Sequence, residues 1–185
     1  MHNNTCLSLS YIFSMKIAKK KLFLKHLYTV FDLSISNHSH TNTVPDTKQW
    51  RQWIWQTCKN EYYYANIAVI LYDEEAAREL NFNYRQKNYA TNVLSFALNE
   101  GESVFISEKK ELNGDLIFCP QVIEREAAEQ NKPLLAHYAH LTIHGVLHLM
   151  GYDHMNDEEA EIMEELEIRI MHQLGYANPY TQDEY

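Results

Sequence analysis

Between His144 and His154 the chain reads His-Gly-Val-Leu-His-Leu-Met-Gly-Tyr-Asp-His, and this spacing constrains the local fold tightly. On a helix, residues four apart are neighbours on one face, so the imidazoles of His144 and His148 converge on one point. Gly151 follows about one turn later. Glycine takes the left-handed conformation that ends a helix, so the chain leaves the helical axis there and swings His154 back toward the other two. Three neutral imidazoles then surround one metal ion. Zinc with three protein ligands keeps its fourth position open for water, which is the catalytic rather than the structural pattern.

Helix geometry also selects among the histidines. His137, His140, His144 and His148 all fall on one side of the same predicted helix. At a rise of about 1.5 Å per residue, His140 and His148 stand roughly 12 Å apart, whereas two ligands of one zinc, each about 2 Å from it, must nearly touch. A set of His137, His140 and His144 has the same fault over about two turns. His144, His148 and His154 are therefore the expected ligands, and His137 and His140 are expected to pack or to support them.

A chain of 185 residues suits one well-packed domain and is short for two. A net charge of −9, a pI near 5.5 and 45% hydrophobic residues describe a globular protein rather than a disordered one. No run approaches the eighteen or so apolar residues of a membrane span. Cys6 to Met15 is broken by three serines and followed, not preceded, by lysines, the wrong order for a secretory signal. Cys6, Cys58 and Cys119 form no Cys-x-x-Cys pair, so they read as reduced packing residues of a cytoplasmic protein. The first 26 residues hold Lys16, Lys19, Lys20, Lys21 and Lys25 and no acid, a local +5 that leaves −14 for the remainder. Residues 1–27 are expected to be a poorly ordered basic leader, either a nucleic-acid arm or a stretch ahead of a true start at Met15 or later. Residues 28–180 form the expected domain and 181–185 a tail.

Along the chain, Tyr28 to Ile35 alternates as a strand. Asp46 is placed to cap a helix whose Trp50, Trp53, Ile54 and Thr57 face a core. Ala65 to Tyr72 reads as a strand and Asp73-Glu74-Glu75 opens a helix through Leu80. Strands are expected at Val93 to Ala97 and, after a charged loop, at Asn113 to Cys119. Pro120 and Pro133 open two helices, the second carrying the histidines, and Asn156 or Asp157 caps a last one with a stripe of Met163, Leu166, Ile170 and Leu174. Four strands and five helices, with no internal linker, make an α/β (α+β) domain: a small sheet covered by helices.

The spacing His-x-x-x-His-x-x-Gly-x-x-His is also that of the metzincin peptidases, which need Glu directly after the first His as general base. Here that position is Gly145. The stretch closely resembles the signature of the YbeY family of metal-dependent endoribonucleases and departs from it nowhere. A second constellation, Asn83 to Phe96, is similar to that family's other signature, Tyr-Arg followed by Thr-Asp/Asn-Val-Leu-Ser-Phe. The resemblance implies a catalytic role for Arg85, whose planar fork suits a scissile phosphate. Gln86 stands where glycine is common and Ala90 where proline is common, which puts the shape of this loop in question. Gly114-Asp115-Leu116 and Gly175-Tyr176 to Pro179-Tyr180 also match, so the likeness runs from about Tyr28 to Tyr180. It implies a mixed sheet of about four strands with the metal helix beside it. It further implies a single-strand-specific endoribonuclease of ribosomal RNA processing, at the 3′ end of 16S rRNA, and of ribosome quality control, with ribosome-associated partners.

The residues by themselves carry the reading as far as a metal-dependent hydrolase, with zinc the expected ion; RNA as substrate comes from the resemblance. Other divalent metals suit three histidines too. The competing readings are a metallopeptidase with an unusual base and a non-catalytic, metal-stabilised ribosome-assembly factor. Asp153 is expected either to orient a ligand imidazole or to cap the next helix. An overall −9 repels RNA unless cations gather locally, and the candidates are Arg85, Lys87, Lys109, Lys110, Arg125 and Lys132.

Overall fold

The computed structural model describes residues 30–98 and 111–181. The basic leader, the charged loop with Lys109 and Lys110, and the last four residues lie outside the described residues. Strand β1 spans Val30–Asn37, helix α1 Thr47–Cys58, β2 Tyr64–Leu71 and α2 Glu74–Arg85. They are followed by β3 at Val93–Ala97, β4 at Glu111–Phe118, α3 at Pro120–Glu129, α4 at Leu134–Leu149 and α5 at Asp157–Gln173. The order is the expected one.

The four strands form one mixed sheet in the order β1-β2-β4-β3. β1, β2 and β4 run parallel, and β3 pairs antiparallel to β4 at the edge. Parallel neighbours need a crossover, and α1 supplies the first. Asp46 and Gln49 close a reciprocal capping box at its start, at 2.8 and 2.7 Å. The buried Trp50 of α1 meets the rings of Phe118 at 4.8 Å and Tyr138 at 5.8 Å, joining sheet, α1 and α4 in one core. Ala65, Ile67, Val69 and Leu71 alternate into that core from β2. Burial pushes the Cys58 thiol up to about 12, in keeping with a packing residue.

α4 is the central helix. It packs against α1, α3, α5, β3 and β4, and eleven of its sixteen residues are buried, the pattern of a helix that is apolar nearly all round. α5 is capped by Asn156, which accepts from the Glu159 amide at 3.0 Å.

Two local features shape the ends of α2, and the second departs from expectation. Asp73 sits at the N-cap position of α2 without making a capping bond, because its carboxylate accepts from the His40 amide at 3.0 Å and from the Gln121 side chain. α2 also continues past Leu80 to Arg85 and ends at Gln86, whose φ of 58° is left-handed. Gln86 thus takes the backbone conformation that glycine adopts without strain. Gln86→Gly is expected to stabilise the fold by about 0.5–1 kcal/mol, read as a higher urea midpoint at unchanged slope; a lower midpoint would contradict this account of the turn.

Candidate metal centre

The end of α4 is built as a double hydrogen-bonded C-terminal cap. Gly151, at φ 92°, donates to the His148 carbonyl at 3.0 Å, and Tyr152 donates to the Leu147 carbonyl at 3.0 Å. This is the Schellman pattern with glycine at its left-handed position. It turns the chain so that His154 returns to the helix. The ring centroids lie 4.5 Å apart for His144 and His148, 5.6 Å for His144 and His154, and 5.1 Å for His148 and His154. One nitrogen from each lies within 4.8 Å of the others. The structure thus brings together the three histidines expected from the sequence.

The hydrogen bonds on the far side of the rings fix what this cluster accepts. His144 Nδ1 lies 2.7 Å from Glu167 Oε1, and His148 Nδ1 lies 3.0 Å from the Tyr152 carbonyl oxygen. Both oxygens only accept, so both Nδ1 atoms carry the proton. The Nε2 atoms are left with lone pairs, and they face each other at 3.1 Å. Two lone pairs at that distance repel unless a cation or proton lies between them. Nitrogens bound tetrahedrally to one zinc at about 2.0–2.1 Å lie roughly 3.3 Å apart, so the donor set fits a metal ion. Burial, then the neighbouring His144 and His154, lowers the pKa of His148, which keeps its lone pair available near neutrality.

Glu167 was not among the expected site residues. Its side chain is fully buried, with no relative exposure, and it joins α5 to α4. Besides His144 it takes the Nε2 proton of His140 at 3.0 Å and the hydroxyl proton of Tyr180. Burial alone would raise its carboxyl; the bonds from His140 and His144 outweigh that and bring it down to about 2. Only one signal in the sequence marks it, its place four after Met163 and three before Ile170 on the core stripe. An acid on an apolar stripe requires a buried partner.

The remaining candidates separate clearly. Asp153 neither orients an imidazole nor caps α5: it accepts from the His154 amide at 2.8 Å, and the cap is Asn156. His137 bonds Glu126 at 2.9 Å, a supporting role away from the cluster. Arg85 stands exposed in the last turn of α2, and no hydrogen bond or ion pair joins it to the histidines. Arg125 is held by Glu74 at 2.6 Å, and Lys132 by the Pro179 carbonyl at 2.6 Å. Among the described cations on the sequence-derived RNA list, only Arg85 and Lys87 are exposed without such a partner.

Gly145 faces the sheet rather than the histidine cluster. A Cβ there would come within 2.8 Å of Leu116 Cδ2 and 3.1 Å of Ser95 Oγ. The position that carries the base in metzincins is here a contact surface between helix and sheet.

A family model for endoribonuclease YbeY matches residues 34–175. The chain belongs to the YbeY family. An endoribonuclease YbeY of Neisseria meningitidis serogroup C is 55% identical over 171 residues, covering 92% of this chain and all of the relative. Its counterpart from Chromobacterium violaceum is 47% identical over 169 residues, 91% of this chain and 99% of the relative. A solution structure of a Thermotoga maritima protein matches with a TM-score of 0.51 at 23% identity, over 80% of this chain and 99% of that one; this likeness speaks to the fold.

Glu167→Gln tests the buried carboxylate of this YbeY-family site. The amide cannot accept from His144, His140 and Tyr180 together, so metal affinity is expected to fall about 10- to 100-fold. The gap between an ordinary glutamate at 4.5 and about 2 is worth roughly 3 kcal/mol in the metal-free protein. Because the folded value is the lower one, this stability is present above pH 4.5 and is lost as pH falls toward 2. The stability difference between native protein and Glu167→Gln is therefore expected to shrink across that window. Denaturation curves that stay equally separated from pH 6 to pH 2 would contradict the assignment.

Proposed function

We propose that this chain is a metal-dependent endoribonuclease that cuts single-stranded RNA in ribosomal RNA processing, at the 3′ end of the small-subunit RNA, and serves ribosome quality control. The observation that carries the metal-dependent chemistry is the pair of facing Nε2 lone pairs, 3.1 Å apart, completed by His154. RNA as substrate is supported by membership of a family whose curated relatives are named endoribonucleases. No helix among the described residues is long and apolar enough to cross a membrane.

In this reading His144, His148 and His154 hold one Zn2+. When bound, a divalent ion supplies a Lewis acid toward a phosphate oxygen and lowers the pKa of coordinated water toward neutrality. The protein's own groups do the rest. Glu167 and the Tyr152 carbonyl hold the imidazoles in the tautomer that points Nε2 inward. Arg85 grips the scissile phosphate with paired N–H donors and stabilises the charge that develops in the transition state. Glu167 does not serve as general base, since three donors occupy it and its carboxyl lies near 2. The nucleophile is water or the ribose 2′-hydroxyl, and the product end distinguishes them.

The metallopeptidase alternative loses support from Gly145, which stands where metzincins carry their glutamate base and packs against Leu116 and Ser95 instead. The test incubates metal-loaded protein with end-labelled single-stranded RNA and, separately, with a peptide pool. Only the RNA is expected to be cut, and neither a chelated sample nor His148→Ala should cut it. Arg85→Ala is expected to lower kcat about 10²- to 10³-fold. Intact RNA in the presence of stoichiometric bound metal would sink the reading and leave an assembly factor; cut peptides would restore the peptidase. A 2′,3′-cyclic phosphate at the new end would identify the 2′-hydroxyl as nucleophile.

A further inference from the structure

Around Arg85 the structure leaves three large aromatic side chains in water. Phe82 is 47% exposed, Tyr84 65% and Tyr89 58%. Exposed rings of this size mark interaction surfaces where they share one face. Phe82 and Tyr84 sit on the last turn of α2 but, two residues apart, on different faces; Tyr84 and Arg85 lie on the side of Asn81, three and four residues before them. The loop beyond is folded back on that helix: Asn81 donates to the Tyr89 carbonyl at 2.8 Å, and Arg78 donates to the Asn88 side chain at 2.8 Å. Tyr84 meets the ring of Phe96 on β3 at 4.7 Å with the planes inclined by 65°, which steadies it without covering it.

The charge of this region is opposite to that of the whole. The chain has 25 acidic residues, yet none occurs from Leu80 to Leu98, where Arg85 and Lys87 provide the only formal charges. Both are exposed. β3 connects the region to the histidines. Val93 and Ser95 face α4 at Gly145, the residue after His144, while Phe96, next in the alternation, meets Tyr84 on the other side. Among the described residues β3 is an edge strand paired with β4 alone, so one strand separates Tyr84 from the helix that carries the histidines.

We propose that Tyr84 and Tyr89, together with Arg85 and Lys87, form a stacking platform for the unpaired bases of the RNA substrate. The proposal rests on the endoribonuclease reading and deepens it, since it places the preference for single strands here. Bases within a duplex are already stacked on each other, whereas an unpaired strand offers its faces to aromatic rings. Stacking tolerates any sequence because every base has a π face. The neighbouring guanidinium and ammonium groups take the phosphates. A protein partner could also use exposed aromatics, but a segment whose only formal charges are two exposed cations matches the polyanion.

The test uses full-length, metal-loaded protein and a labelled oligonucleotide of about ten residues carrying 2′-O-methyl and phosphorothioate groups to resist cleavage. Binding is followed by fluorescence anisotropy for the single strand and for the same sequence as a duplex. Tyr84→Leu and Tyr89→Leu keep apolar bulk and remove the π face. Each is expected to weaken single-strand binding about 5- to 100-fold while leaving the salt dependence unchanged, and Tyr84→Trp is expected to retain affinity. Lys87→Ala should instead reduce the slope of log K against log salt by about 0.7. Leucine variants that bind as tightly as native protein, or that lose single strand and duplex equally, would overturn the platform. If the native protein cuts single-stranded RNA while both leucine variants keep full affinity, the platform alone is wrong. If the native protein neither binds nor cuts RNA, the endoribonuclease reading falls with it.

Discussion

A carboxylate with no access to water must be surrounded by donors, and Glu167 satisfies that requirement with three: His144, His140 and Tyr180. These come from α4 and from the segment after α5, so one buried charge ties the last third of the chain to the helix that carries the histidines. The same contact sets the tautomer of His144. Stability and readiness for metal thus share one group, and neither can be altered there without the other. The cost of burying the charge is offset only if all three donors are present, which couples the packing of α5 on α4 to the state of the centre.

The position of α4 explains why the centre can be so small. A helix buried on almost every side has few conformations open to it, so His144 and His148 are fixed by packing before any ion arrives. Gly145 permits the close approach to Leu116 and Ser95 that seats the helix on the sheet, and Gly151 ends it within three residues of His148. His154, beyond that turn, is the most exposed of the three. The candidate centre therefore has two histidines on a rigid helix and one on a loop, the arrangement in which an ion can enter from the solvent side.

Much of this could be read from the chain because it is local. The convergence of His144 and His148 follows from helical spacing, the return of His154 from one glycine, and the caps of α1 and α5 from Asp46 and Asn156. The alternation of β1 and β2 and the proline starts of α3 and α4 are of the same kind. What failed depends on tertiary contact. Asp153 is next to His154 in sequence and was the obvious carboxylate, yet the one that holds an imidazole is Glu167, thirteen residues past the last ligand and brought back only by helix packing. Asp73 stands at the start of α2 as expected, but whether its side chain caps was not local: His40 and Gln121, distant in sequence, claim the carboxylate. α2 outran its expected end because Gln86 accepts a left-handed conformation that its side chain does not advertise.

The acidity of the chain looked like the main obstacle to an RNA substrate, and its distribution removes much of that obstacle. Glu158, Glu159, Glu161, Glu164 and Glu165 all project from exposed positions of α5, while the buried acid of that helix is enclosed by its hydrogen-bond donors. At physiological ionic strength charges farther apart than about 8 Å are largely screened, so a polyanion in contact responds to the groups beside it rather than to a total of −9. Along the segment that carries Arg85, the side chains from Leu80 to Leu98 are cationic, aromatic or neutral. A protein can therefore be acidic overall, and repel RNA over most of its surface, while admitting it along one edge; the repulsion elsewhere then helps to orient the strand toward that edge.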